Sequence, residues 1–180
     1  MAMYENDEID ITGVGLFDLD RVLDPTEALN KELVVAPPGF SISYIGFSQF
    51  PPFDDPKFRQ ALNHAVDKEL IASEVLSDLV RPAYGILPPG LPGYDPNLKG
   101  LEYNPELAKR LLSESNYSDP ATRPRIVITV PGTGGTIGLD LEVIIEMWKQ
   151  ELNVEVEIQQ VEWATYLDDL DSKKLQAYAG

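Results

Sequence analysis

Between residues 125 and 179 the chain switches back and forth between two hydrophobic periods, and this alternation restricts the fold more than any other feature. Residues 125–130 form an apolar run of strand length. Residues 138–152 place Leu141, Ile144, Ile145 and Trp148 on one face at helical spacing. Residues 154–161, VEVEIQQV, alternate like a half-exposed strand. Residues 163–170 return to a helical pattern, and residues 175–179 read as a last short strand. A β-α-β-α-β order argues a parallel or mixed sheet with helices packed on it. The expectation is an α/β fold, a mixed sheet flanked by helices, forming one unit over residues 1–180.

The first two thirds are less regular. Residues 8–14, EIDITGV, read as a strand, and residues 16–30 as one or two helical turns. Residues 33–36 and 42–47 read as strands split by the turn Pro37-Pro38-Gly39. Pro51-Pro52 then stops any ladder. Asp54 or Asp55 caps a helix that has Pro56 in its first turn and Phe58, Ala61, Leu62 and Ala65 facing the core. Asp67 restarts the pattern with Leu70, Ile71, Val75 and Leu76 as the buried set. Residues 81–100 are rich in proline and glycine and read as a long ordered loop. Asn104-Pro105 opens another helix, with Leu107, Ala108, Leu111 and Leu112 inward.

Charge and composition exclude several classes. The 180 residues carry a net charge of −16. Such a chain does not bind nucleic acid by neutralising phosphates, and anionic membranes repel it. With no cysteine there are no disulfides, thiolate nucleophiles or zinc–cysteine sites. No apolar run approaches the roughly 20 residues that span a bilayer. The acidic start lacks a secretion signal, and Met1-Ala2-Met3 leads to the expectation that a natural targeting segment has been cut away.

The stretch ITVPGTGGTIGLDL joins a strand to a helix through a glycine-rich turn. A P-loop needs a lysine followed by serine or threonine after its last glycine, but Leu139 and Asp140 follow Gly138 here. The dinucleotide fingerprint is met by Gly132 and Gly134 but fails at its sixth position, Ile137. Glu162 stands roughly where a ribose-binding acid would lie. The mismatches favour a flexible turn feeding a helix. A nucleotide- or dinucleotide-binding enzyme domain using the 132–138 turn and Glu162 is the second reading. The only histidine, His64, has neither an orienting acid nor a nucleophile in a recognisable motif, and reads as structural. Asp54-Asp55 and the group Asp168, Asp169 and Asp171 lack the spacing of a calcium loop and read as a helix cap and a solvated helix end. No metal or cofactor site is expected. Tyr44, Phe47, Phe50, Tyr84, Tyr94, Trp163, Tyr166 and Tyr178 fall at strand ends or in loops, where a minority are expected to line a ligand cleft.

The segment YIGFSQFPPFDDPKFRQALNHAVDKELIASEVL resembles the central signature of the bacterial family 5 solute-binding proteins, the oligopeptide, dipeptide and nickel receptors of ABC importers. Their pattern Y-x-G-F-N, P-P-F-D-D, R-x-A-L-x-x-A-x-D-x-x-x-I is matched throughout except at Ser48, where asparagine is usual. The loop from Pro82-Ala83 through Pro88-Pro89-Gly90 to Gly93-Tyr94, the helix start Asn104-Pro105-Glu106-Leu107-Ala108, and Val161-Glu162-Trp163 with Tyr166-Leu167 are also similar. The resemblance implies the C-terminal lobe of a two-lobed receptor with a type II (cluster C) periplasmic-binding-protein-like fold. Residues 8–14 and 175–180 would be its crossover segments near the inter-lobe hinge. It implies a binding protein, not an enzyme, which captures an oligopeptide or similar small ligand between lobes. The N-terminal lobe and the permease subunits would be its partners, and the isolated lobe would be monomeric. The full-length form would be extracellular or periplasmic and anchored at the cell surface. In such receptors the loop after the strand ending at Val130 faces the cleft. The expected ligand-binding residues are Tyr44, Gly46 and Ser48 at a strand end, Thr133 and Thr136 in the glycine turn, and Tyr178 near the hinge.

Overall fold

The computed structural model describes residues 1–37 and 39–179, so Pro38 of the expected turn and the terminal Gly180 lie outside the described residues. The chain divides into two compact units, Met1–Gly39 and Phe40–Gly180.

The first unit contains helix α1 (Ala2–Glu5), helix α2 (Leu16–Leu23) and a 3-10 turn (Ala28–Glu32). Leu19 and Val22 are the buried residues of α2. Asn30 closes the helix by donating its side-chain N–H to the carbonyls of Val22, at 3.0 Å, and Leu23, at 3.2 Å. Those are carbonyls that the helix end leaves unpaired. Residues 8–14 and 33–36, expected as strands, are irregular instead. A strand is made by the neighbour that takes its N–H and C=O groups, and an apolar run alone does not supply one. Ile11, Val34 and Val35 are correspondingly exposed.

The second unit holds strand β1 (Ile45–Phe47), helix α3 (Pro56–His64), helix α4 (Lys68–Leu70) continued by a π turn (Ile71–Val75), and helix α5 (Pro105–Ser113). The expected alternation follows: β2 (Ile126–Pro131), α6 (Leu139–Leu152), β3 (Val156–Val161), α7 (Trp163–Asp171) and β4 (Ala177–Ala179). The strands form one mixed sheet in the order β1-β4-β2-β3. β2 pairs in parallel with β3, from Ile126 opposite Val156 to Pro131 opposite Val161, and in parallel with β4 through Ile128–Ala177 and Thr129–Tyr178. β1 runs antiparallel to β4, with Gly46 opposite Tyr178.

Local signals explain the helix starts. Asp55 caps α3, accepting the Lys57 N–H at 2.8 Å, and its other oxygen accepts the Asn116 N–H at 2.8 Å. Asn104 caps α5 by accepting the Leu107 N–H at 3.0 Å. Leu70, expected in the core, is exposed. The π turn that follows it, closed by Leu76 N–H donating to the Ile71 carbonyl at 3.0 Å, widens the helix and turns Ile71 and Ala72 inward instead. Residues 81–100 contain neither helix nor strand.

The connection from β2 to β3 crosses the sheet in one direction, and that from β3 to β4 crosses it in the other. Right-handed crossovers place α6 and α7 on opposite faces. Side-chain alternation agrees with this placement. Ile126, Ile128, Val130 and Ala177 join Phe53, Phe58, Leu62, Ala108, Leu112, Leu141 and Trp148 in the main core on the α6 side. Thr129 and Tyr178, one step out of phase, point to the α7 side.

Candidate functional site

The parallel strands β2, β3 and β4 all end at one edge of the sheet, and antiparallel β1 begins there. Ligand sites of open α/β sheets lie beyond such carboxyl edges, particularly where successive connections diverge, as they do after β2 and β3. Four aromatic side chains gather at this edge on the α7 side. Tyr178 meets Tyr44 edge to face, with ring centroids 6.3 Å apart. Trp163, the first residue of α7, stacks on Tyr166 one turn later at 5.8 Å. Tyr166 is buried and donates its hydroxyl to the Ala179 carbonyl at 3.0 Å. Burial, with the Tyr44 and Tyr178 hydroxyls close by, holds the Tyr166 phenol above its ordinary value. By contrast Trp163 is 58% exposed and Tyr44 45% exposed, so two aromatic faces are open to a ligand.

Gly46 has a steric reason to be glycine. A Cβ there would overlap the Tyr178 ring, which lies across the strand at this position. Ser48 is set apart. It stands about 13 Å along the strand from Tyr44, at roughly 3.3 Å per residue. Its N–H and its hydroxyl both donate to the Gln176 carbonyl, at 3.0 and 2.8 Å, at the opposite edge of the sheet. Its hydroxyl oxygen also accepts the Phe50 N–H at 3.2 Å. This hydroxyl ties β1 to β4.

The glycine turn occupies the carboxyl edge after β2, with Thr133 and Thr136 exposed. It is braced from the neighbouring strand. Gly134 N–H donates to the Gln160 side-chain oxygen at 2.9 Å, and the Gln160 side-chain N–H donates to the Gly135 carbonyl at 2.9 Å. Glu162 is engaged elsewhere. Its carboxylate caps α7, accepting the N–H groups of Ala164 at 2.9 Å and Thr165 at 3.3 Å. The acid singled out for ribose recognition therefore serves its own helix.

The remaining candidates have structural partners. His64 Nδ1 lies 2.6 Å from the Glu102 carbonyl. Lys174 pairs with Asp169 at 3.0 Å and Asp168 at 3.5 Å. Among the described residues no cluster of three or more histidines or carboxylates is placed to hold a metal ion. One cavity lies within the first unit, beside Tyr4, Arg21 and Glu32, and another at the amino-terminal edge of the sheet, beside Arg123, Arg125 and Asn153. Neither reaches the aromatic edge. Among the charged groups there, Arg21 pairs with Glu5 and Asp18, and Arg125 with Glu157.

Of the expected residues, the structure gathers Tyr44, Gly46 and Tyr178 and puts Thr133 and Thr136 along the same edge, while Ser48 lies at the other. Trp163 and Tyr166 complete the aromatic group. The signal for Trp163 is position: an aromatic just after a parallel strand stands at the carboxyl edge, and Tyr166 follows one turn into α7.

Comparison with known proteins places this architecture. The profile of the family described as bacterial extracellular solute-binding proteins, family 5 Middle, matches residues 1–180. The chain is 27% identical to the oligopeptide-binding protein OppA of Bacillus subtilis, over 98% of this chain and 33% of that protein. It is 30% identical to the periplasmic oligopeptide-binding protein OppA of Escherichia coli, over 92% of this chain and 31% of that one. Among solved structures, AppA of B. subtilis in complex with a nonapeptide superposes with a TM-score of 0.76 at 24% identity, covering 99% of this chain and 37% of that chain. The E. coli murein tripeptide binding protein MppA gives 0.76 at 24% identity, covering 99% and 35%. The chain thus spans about one third of the length of these relatives. With its whole length matched and its fold shared, the chain belongs to the bacterial extracellular solute-binding proteins of family 5.

Proposed function

We propose that this chain is the C-terminal lobe of the substrate-binding component of an ABC importer and supplies one wall of a peptide-binding cleft. The exposed pair Trp163 and Tyr44, grouped with Tyr166 and Tyr178 at the carboxyl edge, carries the reading. A second lobe closes over this edge, and the bridging ligand shifts an open–closed equilibrium toward the closed form. The permease subunits then receive the closed receptor. Aromatic faces pack against varied side chains, and the backbone groups of the glycine turn address the main chain that all peptides share. Tyr44, Gly46, Thr133, Thr136 and Tyr178 belong to this wall. Ser48 acts through the β1–β4 connection that positions it. No catalysis is involved. The receptor works outside the cytoplasmic membrane, tethered at the cell surface, and among the described residues no helix is long and apolar enough to cross a membrane.

The test is isothermal titration of the complete two-lobed receptor with tri-, tetra- and penta-alanine, with NAD and ATP as controls. Saturable peptide binding that weakens at least tenfold in Trp163→Ala is expected. Saturable nucleotide binding without peptide binding would overturn the proposal.

A further inference from the structure

The ladder between β2 and β3 ends where Gly132 N–H donates to the Val161 carbonyl at 2.8 Å. β3 then leaves for α7, and the next peptide groups of the turn lose their neighbouring strand. Gln160 takes over. Its side-chain amide accepts from Gly134 and donates to Gly135, both at 2.9 Å, as a further strand residue would. The arrangement has matching requirements on the turn. A Cβ at residue 132 would come within 3.3 Å of the Gln160 side-chain nitrogen, and Gly134 holds φ at +90°, a conformation that glycine adopts freely. Register brings this about: Gln160 stands opposite Val130, one residue short of the end of the ladder, on the face that carries α6. A side-chain amide carries an acceptor and a donor side by side on one planar group, and at glutamine length both reach the turn.

We infer that Gln160 is a positioning residue for ligand binding: it holds the 132–138 turn in one backbone conformation and thereby presents Thr133 and Thr136 to the cleft before ligand arrives. This rests on the functional reading above. A turn already ordered spares the ligand the entropy of ordering it. In Gln160→Ala the fold of the lobe is retained and the turn loosens. In Gln160→Glu the acceptor for Gly134 survives but the donor to Gly135 is lost.

Two measurements test the brace. The first is amide hydrogen exchange at Gly134 in the 180-residue chain by NMR, which needs no ligand. Exchange should accelerate at least tenfold in Gln160→Ala and less in Gln160→Glu, while core amides such as Ile128 stay protected. Equal exchange at Gly134 in wild type and Gln160→Ala overturns the inference, whatever the chain binds. The second is titration of the complete receptor with tri-alanine. Kd should rise about tenfold in Gln160→Ala, equivalent to about 1.4 kcal/mol, with Tm unchanged within about 2 °C. An unchanged Kd, or a Kd and Tm that fail together, overturns it. A wild-type receptor that ignores tri-, tetra- and penta-alanine alike contradicts the peptide reading instead, and hydrogen exchange at Gly134 then decides by itself whether Gln160 braces the turn.

Discussion

Trp148 offers a quantitative test of how the sheet-covering helices are held. Its indole N–H donates to the Leu62 carbonyl at 2.8 Å, and both residues are buried, at 2% and 1% exposure. Leu62 is in the last turn of α3, whose carbonyls have no donor further along the helix. The chain does not supply one, since Val66 N–H donates to Asn63 at 3.2 Å. Trp148 of α6 therefore satisfies an acceptor that has no access to water. Replacing Trp148 by benzothienylalanine, which keeps the bicyclic shape and substitutes sulfur for N–H, removes only the hydrogen bond. A buried acceptor left unpaired costs about 1–3 kcal/mol. At about 2–4 °C per kcal/mol for a chain of this size, Tm should fall by about 2–12 °C. Trp148→Phe loses the same bond and some apolar area, adding about 1 kcal/mol. Urea and thermal denaturation followed by far-UV circular dichroism measure both. Should the benzothienyl variant match wild type within about 0.5 kcal/mol, an ordinary additivity error, the indole contributes by shape alone and the carbonyl argument fails.

Two further outcomes follow from the site and the surface. Gly46→Ala forces the Tyr178 ring aside; the loss of its contact with Tyr44, about 0.5–1.5 kcal/mol, is offset by about 0.5–1 kcal/mol from relieving a glycine in a strand. Stability should therefore barely change while nuclear Overhauser contacts between Tyr44 and Tyr178 vanish, and their persistence would refute the steric account. Lys57, 2.9 Å from Glu114, holds that carboxyl below its ordinary value of 4.5. A lowered carboxyl stabilises the fold above the unfolded value, and this contribution is lost as pH falls through the folded value. Lys57→Ala should bring the Glu114 titration, read by carbon-13 NMR, back toward 4.5; an unmoved midpoint would show that the pair is not formed in solution.

The parts of this fold that the sequence revealed are those whose cause is local. Asp55-Pro56 and Asn104-Pro105 carry their own cap and first turn, so α3 and α5 begin where the residues say. The alternation from 125 to 179 fixes the order of β2, α6, β3, α7 and β4 because each period is written in adjacent residues. Residues 8–14 and 33–36 have strand composition but, among the described residues, pair with no strand, because pairing is decided at a distance. Leu70 fails for a related reason: one π turn shifts the face of a helix, and no residue type encodes that shift.

The site divides along the same line. Tyr44 and Tyr178 were legible as strand-end aromatics, but only the β1–β4 register shows that they meet, and that Ser48, on the same strand, is carried to the opposite edge. Glu162 looked like a ligand group because its place in the sequence was right, while its carboxylate was one residue from a helix that needed a cap. Nothing in the sequence marks Gln160, which sits in an ordinary alternating strand. Its importance comes from standing opposite Val130, where the ladder stops and the glycines begin. A glycine turn without such a brace would be a loop with many conformations. Under the proposed function, the braced glycines would offer a ligand an ordered backbone surface at the same edge of the sheet as the aromatic group.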